Sequence, residues 1–131
     1  MQVKFTSMAG ADSYAPSSHV KFYGAKLSTA CLTEAVLNEL GIEGERVMMK
    51  FDESGTRGDA YKRDVNPNGT VPAIEHDGTV VWESAAITMY LGEVFGESRG
   101  LWPALGPKRG DAMKWVSWAT VLAFAGAPLL A

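Results

Sequence analysis

The apolar and polar positions fall into a repeating order of short strands and helices. Residues 20–23 (Val-Lys-Phe-Tyr) form a short extended run of β-favouring side chains. After a loop at 24–27, Leu32, Val36 and Leu40 recur at helical spacing, and Gly41 follows as a stop. The spacing predicts a helix over residues 29–40. Residues 46–51 (Arg-Val-Met-Met-Lys-Phe) read as a second strand whose apolar run suits burial. A polar turn at 52–58 precedes a short helix at 59–65. Residues 70–75 and 79–82 are two strands separated by Asp77-Gly78, a strong two-residue hairpin signal. Ile87, Leu91 and Val94 then mark a helix from Glu83-Ser84 to Gly96.

Strand, helix, strand at this spacing makes the first two strands parallel neighbours, and the hairpin adds an antiparallel pair. The expected fold is α/β, a thioredoxin-like βαβαββα unit with a mixed four-stranded sheet. Residues 1–18, rich in Ser, Ala and Gly, read as a flexible leader. The sheet domain occupies 19–97. Residues 98–110, with Pro103 and Pro107, read as a linker. Residues 111–131 read as one apolar helix carrying Trp115, Trp118, Val121, Leu122 and Phe124. A membrane span is the rival reading of that helix. Its shortness, Ser117, Thr120 and the break at Pro128 favour a core helix instead.

Composition narrows the function. With 131 residues and 47% hydrophobic positions the chain can build one ordinary core. A net charge of −3 with scattered Lys and Arg gives no field for nucleic acid. The single cysteine, Cys31, rules out an internal disulfide and fits a reducing, cytoplasmic compartment. Residues 1–10 lack the apolar core of a secretory signal. His19 and His76 have no partner spacing for a metal, and both read as surface residues. Ser28-x-x-Cys31 lacks the attacking first cysteine of a thiol oxidoreductase motif. Cys31 reads as a small buried side chain on the first turn of its helix.

Val71-Pro72, the hairpin and Glu83-Ser84-Ala85-Ala86-Ile87, in that order, resemble the glutathione-binding half of the glutathione S-transferase family. The resemblance runs from about residue 21 to 96 and weakly onward. It implies a cis bond before Pro72, with the backbone of Val71 pairing with the cysteinyl part of glutathione. It implies that Glu83 and Ser84 hold the γ-glutamyl end. Residues 21–28 are similar to the serine-type classes, which makes Ser28 the thiol-activating donor; a helix cap would need the same residue there. Thr29 and Tyr23 are the rival donors, Tyr23 by analogy with the tyrosine-type classes. Arg57, Lys62 and Arg63 are candidates for the glycyl carboxylate.

The resemblance further implies glutathione as co-substrate, a small electrophile as second substrate, no metal, and a homodimer for the full-length protein. The apolar helix would then open an all-helical domain that is truncated here. Two other functions stand beside transfer. One is a non-catalytic glutathione transferase-like interaction module. The other is a glutathione-linked thiol redox protein using Cys31.

Overall fold

The computed structural model describes residues 14–126. Strand β1 (Lys21–Gly24) sits inside the sheet, with β2 (Arg46–Met48) parallel on one side and β3 (Ala73–His76) antiparallel on the other. Strand β4 (Thr79–Trp82) pairs with β3, so the order is β2-β1-β3-β4. Helices α1 (Ala30–Glu39), α2 (Asp59–Asp64) and α3 (Ser84–Leu91) complete the expected thioredoxin-like βαβαββα order. Neighbouring residues of a strand point to opposite faces. Phe22 and Tyr23 are both buried, so the centre of the sheet is covered on both sides. Phe22, Leu37, Ile74, Ile87 and Leu91 form the fully buried centre of the core.

Several local readings change. The buried stripe of α1 is Ala30, Thr33 and Leu37, continued by Leu40, while Leu32 and Val36 are only half-buried. The stripe is one residue out of phase with the expected one, and Cys31 is therefore exposed, not buried. Strand β2 is a three-residue edge strand with Met48 about half exposed, not a buried run to residue 51. An edge strand has one neighbour only, so an apolar run there need not be covered. His76 is buried, not at the surface: its Nε2–H donates to the Ser17 carbonyl (2.8 Å) and its Nδ1 accepts from the Tyr90 hydroxyl (2.7 Å). Tyr14 Oη and the Ser17 N–H both donate to Asp77 Oδ2, at 2.7 and 3.2 Å. Residues 14–18 of the expected leader are thus pinned to the β3–β4 hairpin; residues 1–13 lie outside the described residues.

Gly96 does not end the third helix. The chain continues through a π-helical turn (Gly92–Gly96) and a 3-10 turn (Glu97–Arg99) to Gly100, whose φ is +70°. The indole of Trp102 packs on this turn: a Cβ on Gly92 would lie 2.6 Å from its Cδ2. Helix α4 (Pro107–Gly126) starts four residues before the expected position, with proline at its first turn, where the missing N–H costs nothing. Arg109 fastens it, donating from Nε to the Pro103 carbonyl (3.0 Å) and pairing with Glu93 and Glu97. No helix among the described residues is long and apolar enough to cross a membrane.

Candidate glutathione cradle

Because β1, β2 and β4 run in one direction and β3 in the other, four segments meet at one end of the sheet. These are the exits of β1, β2 and β4 and the entry of β3. A cleft of about 230 Å³ opens there. Thr29 lines it from α1, Phe51 from the loop after β2, Thr70, Val71 and Pro72 from the approach to β3, and Glu83 and Ser84 from the start of α3.

The approach to β3 is built by side chains. Asn66 is buried, and its Nδ2 donates to the Thr70 carbonyl (2.9 Å) and Thr70 Oγ1 (3.1 Å). Its Oδ1 accepts from the Asn68 N–H at 3.0 Å. The Tyr61 hydroxyl of α2 donates to the same Thr70 carbonyl at 2.8 Å. Tyr61 in turn meets the Tyr23 ring edge-on, with centroids 5.9 Å apart. Burial, with the neighbouring Tyr23, pushes the Tyr61 hydroxyl up to about 12, so it stays a donor. The Val71–Pro72 bond is cis. The sheet register begins at Ala73, which leaves Val71 outside the ladder and facing the cleft.

The other flank is set by Glu83, whose φ is +76°, unusual for a residue with a side chain. That turn lets β4 pass into α3 with no intervening loop. The Glu83 carbonyl accepts the Ile87 N–H (2.9 Å), and its exposed carboxylate makes no ion pair among the described residues. Ser84 is buried at the first turn of α3, where unpaired backbone N–H groups and the helix dipole favour an anion.

The sequence candidates separate in space. Thr29, Val71, Pro72, Glu83 and Ser84 share the cleft. Ser28 is half-buried beside it, with its hydroxyl donating to the Ala25 carbonyl (2.7 Å) and accepting the Ala30 N–H (3.3 Å). That is the local bonding of a helix-start serine. Tyr23 belongs to the core, and Arg57 is exposed in the 52–58 loop; neither lines the cleft. Sequence reasoning missed Asn66, Tyr61 and Phe51. The Asn66-Pro67-Asn68-Gly69 run marks a turn, but nothing in it shows which asparagine turns inward. Among the described residues no group of three or more His, Cys, Asp or Glu is placed to hold a metal ion. Two further concavities, one around His19, Lys21 and Glu75 and one around Ile42, Phe95 and Arg99, hold none of these candidates.

Residues 33–94 match the family model for the glutathione S-transferase N-terminal domain. An 85-residue segment is 42% identical to protein LigF of Sphingobium sp. (strain NBRC 103272 / SYK-6), covering 64% of this chain and 33% of that protein. Glutathione S-transferase GstB of Escherichia coli (strain K12) is 38% identical over 85 residues, 63% of this chain and 40% of that protein. Among solved structures, the beta-etherase LigF superposes with a TM-score of 0.64 at 38% identity, over 76% of this chain and 41% of that one. A theta class glutathione S-transferase from the citrus canker pathogen Xanthomonas axonopodis pv. citri, solved with glutathione bound, gives 0.66 at 26% identity, over 77% and 48%. The chain therefore spans 33–48% of the length of these relatives.

Proposed function

We propose, from the premise that the chain belongs to the glutathione S-transferase family, that the cleft binds glutathione and activates its thiol for attack on a small electrophile. One observation carries the proposal: Thr29, Val71-Pro72 and Glu83-Ser84 converge on one cleft, although they are far apart in sequence. The ligand is a peptide with a carboxylate at each end and a thiol in the middle. Its γ-glutamyl carboxylate takes the Ser84 hydroxyl and the N–H groups of the α3 start, and Glu83 accepts from its ammonium. The backbone of Val71, free of the sheet ladder, pairs with the cysteinyl backbone.

The thiol then lies toward the start of α1. An ordinary thiol near pKa 8.5 is mostly protonated at pH 7. Lowering it by about two units takes roughly 2.7 kcal/mol of preference for the anion. A hydroxyl donor and the N-terminal end of α1 supply that preference together. Thr29 lines the cleft, whereas the Ser28 proton is engaged by Ala25, which favours Thr29 as the donor. In the reaction the thiolate sulfur forms a bond to an electrophilic carbon. The leaving group departs with the electron pair of the broken bond, and the thiol proton has already passed to water. The electrophile is a small molecule, no metal takes part, and we read the protein as a cytoplasmic homodimer.

Thiolate absorbance of bound glutathione, titrated against pH, tests the activation. A bound thiol clearly more acidic than the free one, and shifted back in Thr29→Val but not in Ser28→Ala, is the expected result. Loss of the shift in Ser28→Ala alone moves the role to Ser28. Binding with no acidification leaves the non-catalytic module as the better reading.

The exposed thiol of Cys31 favours a second reading. Its thiolate would attack glutathione disulfide, forming a protein–glutathione disulfide and releasing one glutathione thiolate. A mixed-disulfide adduct by mass spectrometry, formed no faster than with an ordinary surface thiol, would dismiss that role.

A further inference from the structure

At the opposite end of the sheet from the cleft, Tyr14, His76, Asp77 and Tyr90 form a cluster that the proposed chemistry does not use. His76 is the last residue of β3, and its side chain is fully buried. Its two ring nitrogens engage two different elements: the Ser17 carbonyl of the strap at 14–18, and the Tyr90 hydroxyl of α3. Phe95 closes over the ring, with centroids 5.3 Å apart. Asp77 anchors the strap by accepting from Tyr14 Oη and the Ser17 N–H, and its carboxylate lies 3.6 Å from His76 Nε2. The Tyr14 hydroxyl, then the Ser17 N–H, hold the Asp77 carboxyl below the usual carboxylate range, so the anchor is ionised at neutral pH.

The elements joined at His76 and Tyr90 are the two whose other ends build the cleft. Strand β3 begins just after Val71-Pro72 and ends at His76. Helix α3 begins at Ser84 and carries Tyr90 near its end. Pro72 and His76 are about 13 Å apart along a strand. Ser84 and Tyr90 are about 9 Å apart along a helix. Packed elements this short tilt as units, so an angle set at one end appears at the other. At the cleft end α3 has no side-chain cap hydrogen bond. Among the described residues, Tyr90 to His76 is the one side-chain hydrogen bond between α3 and the sheet. The packing of Ile87 and Leu91 adds stability but no direction.

We propose that the strap and the cleft are coupled. By closing on His76, and through it on Tyr90, the strap sets the angle between β3 and α3, and with it the spacing of Val71-Pro72 and Glu83-Ser84. His76 and Tyr90 are then positioning residues for glutathione, and the coupling rests on the cradle reading above.

Calorimetry with glutathione, and hydrogen exchange at the Ser17 amide, test the coupling on wild type, Tyr90→Phe and Tyr14→Phe. Each variant loses one hydroxyl and no apolar surface. Coupling between two sites is reciprocal. Bound glutathione should therefore slow Ser17 exchange in wild type and leave it unchanged in Tyr90→Phe, whereas simple stabilisation of the whole fold would slow it in both. Tyr90→Phe should weaken glutathione roughly three- to ten-fold, the scale of one hydrogen bond, with a smaller loss in Tyr14→Phe. Should Tyr90→Phe not fold, wild-type exchange and the Tyr14→Phe affinity decide the question. Unchanged affinity in the variants, or wild-type Ser17 exchange indifferent to bound glutathione, overturns the coupling while the cradle stands. If glutathione does not bind the wild-type protein, the cradle fails and the coupling with it.

Discussion

At the scale of single residues, the cradle depends on two side chains that never touch the proposed ligand. Asn66 and Tyr61 both bond to the Thr70 carbonyl and so fix the segment that presents Val71. Asn66→Ala strands buried polar groups of the 66–70 turn, and a loss of about 2–3 kcal/mol in a denaturant titration is expected. Glutathione affinity should fall with it. Tyr61 gives a pH test. Its folded-state value of about 12 lies above the ordinary 10. A raised value means that the neutral form is favoured by folding. The contribution is complete below pH 10 and is lost as pH rises through about 12. Stability measured against pH should fall across that window in wild type, and less steeply in Tyr61→Phe. A residue's partner across the fold is what the sequence does not carry. His76 illustrates it: its own neighbours read as a surface hairpin, yet Ser17 and Tyr90 enclose it from distant segments.

At the scale of elements, local chemistry made most of the fold legible. Asp77-Gly78 adopts positive φ at both residues, +47° and +77°, as a two-residue hairpin turn requires. The β4 strand falls on the expected 79–82, and α3 starts at Ser84. What failed was phase and extent. On a ten-residue helix, a shift of one position separates Thr33 and Leu37 from Leu32 and Val36, and hydrophobicity barely distinguishes the two stripes. It is also what put Cys31 outside. The end of the third helix failed for a different reason, because Gly92 and Gly96 serve a close approach of Trp102, not a stop. Gly92→Ala should therefore destabilise by about 1–3 kcal/mol through overpacking against the indole. A thermal melt checks this, since an exchange of glycine for alanine in an open helix would be neutral or stabilising.

At the scale of the whole molecule, the sheet domain and α4 differ in kind. The half-buried positions of α4, Arg109, Ala112, Met113, Val116 and Thr120, recur at helical spacing. On the other side Trp115, Trp118, Val121 and Leu122 are largely exposed, with the two indoles edge-on at 5.6 Å. An apolar stripe of this kind promotes association. The paired change Trp115→Lys and Trp118→Lys should raise the monomer fraction in size-exclusion runs at several concentrations, with glutathione binding unaffected. The family resemblance was legible because its signature, Val71-Pro72 through Ile87, lies within one contiguous stretch. The far flank of the cleft was not, because Phe51 reaches it only through the sheet order.

Isothermal calorimetry of glutathione with the wild-type protein and with Glu83→Ala/Ser84→Ala bears most directly on all of this. One site per chain in wild type, lost or weakened at least ten-fold in the double variant with the fold retained by circular dichroism, is the predicted outcome. No heat of binding at millimolar glutathione, or equal affinity in the two proteins, would contradict a thiol-peptide cradle at this end of the sheet.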